Sequence, residues 1–351
     1  MADKENQHFV PQYYFRFFSN DQKSISLLNK RTGKIVKTAS IKGQASKSFF
    51  YGDADVENKV TEIESSFIAD LRKTKREKSF ECLSEEEVLS VIRAVLFQRS
   101  RTLAQRIDGK RQQDYLARLM AEVAINNNPQ LSSSDRVDLL SMLDYVEADP
   151  IPFQGLGMAL AIIQAEYLMD LKRLVIKNRT RYPFIFSDAP AVLINPMQQK
   201  VRSRGVLGML TPGIIALLPL GPRLAIMFYD GNSYKVKGET KGVLNLRALA
   251  DVDELNKLQM QSSAVSVYFN DYAFADYVLK LWSAVKKYLD DAPKGVIEES
   301  TLLDGEEQRE FFHMYDRQLP VMPKFSFLSY EEVDAYSYLT DRNLWDGRNY
   351  Y

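Results

Sequence analysis

The stretch at 213–236, GIIALLPLGPRLAIMFYDGNSYKV, decides the fold class. It is the most apolar segment of the chain, yet Pro219, Gly221, Pro222 and Arg223 divide it well short of the roughly 18 apolar residues that a membrane-spanning helix needs. Residues of that kind interrupt a helix and suit a reversal, so the segment reads as two buried strands and a turn. Just upstream, YPFIFSDAPAVLI at 182–194 has the same character, with short aromatic and β-branched runs punctuated by Pro183 and Pro190. A sheet over roughly 183–236 follows.

Helical spacing surrounds this sheet. Val60, Ile63, Phe67 and Leu71 mark a helix over 56–74. In LSEEEVLSVIRAVLFQRSRT (83–102), Ser84 and Glu87 form a capping-box pattern ahead of the stripe Val88, Leu89, Ile92, Val95 and Leu96. Two more helices are expected at about 110–126 and 133–147, and a fifth at about 156–175. The fifth is apolar on most faces and is expected at the centre of the bundle. Helical spacing returns in DVDELNKLQMQSSAVSVYF and DYAFADYVLKLWSAVKKYL, placing helices over 253–289. Near the amino terminus, SISLLNKRTGKIVKTAS predicts a β-hairpin at 24–39, with Gly33 supplying a positive φ. The aromatic run NQHFVPQYYFRFF (6–18) reads as a buried anchor, with Tyr13 or Arg16 its exposed members. The order of elements gives an α+β fold, a helical bundle packed against a smaller, mostly antiparallel sheet. Residues 1–290 are expected to form a single compact domain and 291–351 a peripheral carboxyl-terminal extension.

Composition narrows the function classes. The 351 residues carry 46 Lys plus Arg against 46 Asp plus Glu, so no bulk field draws the molecule to nucleic acid or anionic lipid, and a polyanion site must be a local patch. The single cysteine, Cys82, cannot form an intramolecular disulfide and reads as an inert thiol; a reducing, cytoplasmic location is expected. The polar start MADKENQ carries no signal-peptide core, and no membrane association is expected. Internal repeats, a glycine-rich phosphate loop, a GxSxG elbow and HExxH do not occur.

The amino-terminal residues Gln7, His8, Val10, Pro11, Tyr14 and Phe18 match the pattern QHxVPxxYLxxF, with Phe15 in the leucine position. FQRSRT, FSDAP, PLGPRLAI and DELNKLQ supply further matches over roughly 6–270, with Ala189 where an SDNP form has asparagine. In these motifs the chain resembles the family of domain of unknown function 4238. The resemblance implies a shared fold and a candidate site containing His8; it implies no reaction.

The residues themselves offer the following candidates. His8 titrates near neutrality and is a candidate general acid or base, or else a histidine bonded to backbone among buried aromatics. Gln7 could orient a water or a base edge, or cap a turn. Asp188 stands where a strand stops, ahead of Pro190, as a base, a metal ligand or an Asx turn. Arg99 and Arg101 suit a phosphate or carboxylate, although basic residues also favour helix carboxyl ends. The loop KVRSRG at 200–205 is a second basic cluster. Asn195 and Asn256 are supporting candidates for ligand contacts, or else turn and helix-surface residues, and His313, on a helix face expected in the peripheral region, is a weaker candidate. One cysteine and two distant histidines do not make a structural zinc site. A carboxylate-bound magnesium ion stays open, because no spacing among the many acids marks a place for it.

Two function classes remain. The first is a nuclease-like phosphodiesterase, acting on nucleic acid or another phosphate-containing substrate, in which His8 transfers a proton, Asp188 orients it or binds metal, and Arg99 or Arg101 steadies the phosphate. The second is a non-enzymatic binding or regulatory module for a nucleotide, nucleic acid or protein partner, with the tail DRNLWDGRNYY (341–351) as a contact surface.

Overall fold

The computed structural model describes residues 6–201, 206–289, 297–304, 307–314 and 319–332. Its first part contains strands β1 (Asn6–His8), β2 (Ser24–Asn29), β3 (Lys34–Ser40) and β4 (Ser46–Ser48) around helix α1 (Gln12–Arg16). Helices α2 (Ala54–Glu77), α3 (Glu85–Ser100), α4 (Leu103–Asn127), α5 (Ser133–Ser141) and α6 (Pro150–Gln164) follow. Strands β5 (Lys172–Asn178), β6 (Phe186–Ser187), β7 (Val192–Ile194), β8 (Ile215–Gly221), β9 (Leu224–Tyr229), β10 (Lys235–Val236), β11 (Glu239–Thr240) and β12 (Val243–Leu246) build the sheet region. Helix α7 (Leu249–Ser262), strand β13 (Ser266–Phe269) and helix α8 (Ala275–Leu289) come next, then β14 (Ile297–Asp304), β15 (Glu307–Met314) and β16 (Leu328–Ser329).

The larger sheet has the order β11-β12-β5-β9-β8-β7 and is antiparallel except where β12 runs parallel to β5. Because strand side chains alternate faces, Val175, Ala216, Leu218, Ile226 and Phe228 point into a core shared with α2, α3 and α6. Their neighbours Leu174, Ile176, Leu217, Ala225 and Met227 point to the opposite side, where Val252, Leu255 and Leu258 of α7 cover them. Burial on both faces is why 213–229 is almost unbroken in its hydrophobicity. A second sheet, β3-β2-β13-β6, is antiparallel throughout. One face carries Leu27, Phe186 and Tyr268 against the amino-terminal Phe15 and Phe18; the other carries Leu28, Val267 and Phe269 against α8. The aromatic opening is thus a buried anchor, with Arg16 left exposed.

The expected α+β architecture is present, with the 24–39 hairpin as β2–β3, Gly33 at φ 68°, and the capping box closing at Ser84 and Glu87. Four expectations are corrected. The helix expected at 156–175 ends at Gln164, because KRLVIKN enters the large sheet as β5. That helix is not central either: Gln154, Met158 and Ala161 are buried, while Leu156 and Ile163 face outward. Within the region read as helical, SVYF is the strand β13, separated from α7 by the loop Ser263–Val265. Finally, part of the segment expected to be peripheral is built into the core, since Phe325, Phe327 and Leu328 are buried and β16 pairs with β10.

Candidate functional site

Strand β1 pairs with β4, with Gln7 opposite Lys47 and His8 opposite Ser46, and delivers two of the candidate residues to the base of α2. Gln7 is fully buried: its Oε1 accepts the Tyr51 amide at 2.5 Å and its Nε2 donates to the Gly52 carbonyl at 3.2 Å. Both ends of this amide hold the turn that precedes α2. His8 is half-buried, its Nδ1 3.0 Å from the Gln44 carbonyl and its Nε2 3.1 Å from the Gln12 side-chain nitrogen. That pairing makes Nδ1 the protonated nitrogen and Nε2 an acceptor. Burial lowers its pKa from the ordinary value; the Gln44 bond opposes this, and the Arg101 charge adds to it. Burial and the Gln12 donor thus both favour the neutral imidazole.

Arg101, where α3 ends, is also buried. Its guanidinium pairs with Glu64 of α2, donates from Nε to the Tyr51 hydroxyl at 2.9 Å and from NH2 to the His8 carbonyl at 2.5 Å. It binds β1 to the helices through an internal ion pair. A basic residue read as a phosphate contact has its partners inside the protein.

Asp188 follows β6, again buried, and its carboxylate accepts three backbone amides: Ala264 at 2.8 Å, Val265 at 2.7 Å and Ser266 at 2.9 Å. Burial pushes this carboxyl above the usual range, while the three amides and the nearby Lys30 charge pull the other way. Asp188 thereby shapes the loop that turns α7 into β13. From α7, Asn256 and Gln259 act on the same segment. Asn256 accepts the Ile185 amide at 3.0 Å and donates to the Pro183 carbonyl at 2.9 Å. Gln259 accepts the Ser187 amide at 3.1 Å and donates to the Pro190 carbonyl at 3.0 Å. Two amides one helical turn apart thus satisfy an extended segment that has few strand partners.

The structure brings Arg99 and Asn195 together at an open cleft between the start of α4 and the outer edge of the large sheet. The cleft has a volume of about 100 Å³, and its walls include Thr102, Gln105 and Asp108 of the α4 amino-terminal turns together with Gln198. Thr102 caps α4 by accepting the Gln105 amide at 3.3 Å, so the positive end of a 25-residue helix dipole faces the cleft. Opposite, β7 is the edge strand. Val192, Leu193 and Ile194 bury their side chains in the cores on the two faces of the sheet, and the same three residues border the cleft. Asn195 holds the adjoining wall: its Nδ2 donates to the Val206 and Pro212 carbonyls, both at 2.9 Å, and Gly213 packs so close that a Cβ there would lie 2.6 Å from Asn195 Oδ1. Gln198 is 4% exposed; its Nε2 donates to Pro212 at 2.8 Å, whereas its Oε1 has no hydrogen-bond partner among the described residues.

Neither His8, Gln7, Asp188, Arg101 nor Asn256 lines this cleft. Most of the second basic cluster, 202–205, lies outside the described residues, as does the tail 341–351; His313, expected on a helix, instead falls on strand β15, whose pairing with β14 sets it opposite Glu298. Sequence reasoning did not single out Gln198, Gln105 or Asp108, and no local motif marks them. Among the described residues no group of three or more His, Cys, Asp and Glu side chains is arranged to hold a metal ion. No described helix is long and apolar enough to cross a membrane.

The family model described as a protein of unknown function, DUF4238, matches residues 6–273, and the chain belongs to that family. The match runs from β1 to the turn before α8, taking in both sheets and the cleft's main walls. No curated protein and no solved structure matches the chain.

Proposed function

We propose that this protein is a binding module for a phosphate-bearing ligand, a nucleotide or a nucleic-acid end, seated at the cleft beside the α4 amino terminus. The observation that carries the reading is the placement of Arg99 and the α4 first turn on one cleft wall. A guanidinium and a helix amino terminus both favour an anion, and they do so locally in a chain with no net charge. The Oε1 of Gln198 is an acceptor, suited to a hydroxyl or amino group of the same ligand. The cleft volume of about 100 Å³ accommodates a phosphate with a few waters, and its open side leaves room for the rest of a larger ligand.

The phosphodiesterase reading has weaker support. Its proposed proton carrier, His8, and its orienting acid, Asp188, have separate sets of partners, and neither borders the cleft. The two readings separate by experiment. A nucleoside triphosphate and a 5′-phosphorylated single-stranded oligonucleotide are titrated into wild type and Arg99→Ala, with product formation followed in parallel for wild type and His8→Ala. Saturable binding that weakens about 10- to 100-fold in Arg99→Ala, as loss of a charge-assisted bond implies, supports the binding module. Turnover that depends on His8 supports the enzyme instead.

A further inference from the structure

Gln198 is held in an arrangement that leaves half of its side-chain amide unused. It closes the short turn Pro196–Gln198 that follows β7, where its backbone amide donates to Asn195 Oδ1 at 3.3 Å. The side chain is 4% exposed and lines the cleft. Its Nε2 donates to the Pro212 carbonyl at 2.8 Å, and a flipped amide would set two acceptor oxygens at that same distance, so Oε1 is fixed as the free end. That oxygen has no hydrogen-bond partner among the described residues. Other amides in the same wall are used at both ends. Asn195 accepts the Gln198 amide and donates to Val206 and Pro212, and Gln261 exchanges two hydrogen bonds with Val321, at 2.9 and 3.0 Å. A buried acceptor without a donor opposes folding, and a donor that arrives with a ligand relieves it.

We propose that Gln198 determines the specificity of the cleft, and that its Oε1 accepts a hydrogen bond from a sugar hydroxyl vicinal to the bound phosphate, as the 2′-hydroxyl is to a 3′-phosphate in RNA. This assignment rests on the phosphate reading of the cleft and adds the class of ligand, a ribonucleotide 3′-phosphate rather than its 2′-deoxy counterpart. Space and chemistry both select such a hydroxyl. A cleft of about 100 Å³ has Arg99, the α4 first turn and Gln198 in its walls, so the donor sits close beside the phosphate. The amino groups of a base lie across the sugar from the phosphate, whereas a vicinal hydroxyl is attached to the neighbouring carbon. Oε1 has lone pairs and no hydrogen, so it attracts an O–H group and repels the phosphate oxygens, which fall to the guanidinium and the helix terminus. The 2′-hydroxyl is also the group by which a protein tells RNA from DNA.

The test is isothermal titration calorimetry on the full chain with inorganic phosphate, adenosine 3′-monophosphate and 2′-deoxyadenosine 3′-monophosphate, for wild type, Gln198→Met and Arg99→Ala. The two nucleotides differ by one hydroxyl, so their affinity ratio within one protein does not depend on how much of a variant is folded. Wild type is expected to bind the ribonucleotide about tenfold more tightly, the effect of one hydrogen bond to an otherwise unpaired group. Gln198→Met keeps the length of the side chain and loses the acceptor, so the ratio should fall to about one; Asn195 also donates to Pro212, at 2.9 Å, and keeps that wall supported. Equal affinities in wild type overturn the proposal even if the variant does not fold, as does a preference that Gln198→Met leaves intact. Phosphate binding that Arg99→Ala abolishes, without any ribose preference, removes the role of Gln198 and leaves the phosphate site standing. Wild type that binds neither phosphate nor either nucleotide removes the site itself, and the role of Gln198 with it.

Discussion

Replacing Asp188 separates a structural latch from a reacting acid. In the folded protein its two carboxylate oxygens accept three amides from Ala264, Val265 and Ser266, and the last of these lies in a buried setting. A hydrogen bond to a charged group contributes about 1.5–3 kcal/mol, and a buried donor left unpaired costs about 1–3 kcal/mol. Asp188→Asn keeps the shape and one acceptor oxygen but turns an NH2 toward an amide donor, so a loss of about 2–3 kcal/mol is expected. Asp188→Ala leaves all three amides without the side chain and is expected to cost about 3–5 kcal/mol, a large share of a typical 5–15 kcal/mol stability. Urea unfolding followed by tryptophan fluorescence measures both, because Trp282 is buried against the sheet that contains β13. The unfolding midpoint should fall in the order wild type, Asn, Ala, with ligand binding retained wherever the protein is folded. An Asp188→Asn variant as stable as wild type but devoid of function would refute the latch and restore Asp188 to the chemistry.

Three more outcomes follow from the geometry. Burial lowers the folded-state pKa of His8, so in the window just below its ordinary value of 6.5 the unfolded chain binds more protons; stability should fall as pH drops through that window, and His8→Gln should flatten the slope in pH-dependent melts. Arg101→Met should destabilise by about 3–5 kcal/mol, because Glu64 is left as a poorly compensated charge, whereas replacing both partners with apolar residues should recover much of the loss in denaturant titrations. Gly213→Ala combines a φ of 80° with a Cβ only 2.6 Å from Asn195 Oδ1, so it should lower the melting temperature and weaken phosphate binding together; unchanged behaviour in both would show that this wall tolerates movement.

The parts of the fold legible in the sequence are those whose signal is local. The Ser84–Glu87 cap, the Gly33 hairpin and the proline-punctuated β8–β9 pair each state their conformation within a few residues. Strand β5 was hidden because its short β-branched run continues the apolar pattern of α6, and only pairing with β9 and β12 makes it a strand. The exposed face of α6 was hidden for a related reason: in a sequence an apolar side chain looks the same whether it is packed or left at the surface. At the site, Asp188 could be found from its position at a strand end, but the amides that define its role lie 76 to 78 residues away. Gln7, Asn195 and Asn256 show a related ambiguity. A side-chain amide suited to a ligand is equally suited to a buried backbone group, and here all three serve backbone. The cleft joins α3, α4, β7, the end of α7 and the segment at 319–322, a grouping that only the tertiary structure assembles.

The decisive measurement is where a phosphate binds. A crystal of the full chain soaked with a nucleoside monophosphate would locate it. The phosphate group is expected within hydrogen-bond distance of the Arg99 guanidinium and the α4 first turn, with the same site empty in Arg99→Ala. A phosphate held against the His8 ring, with the cleft unoccupied, would contradict it.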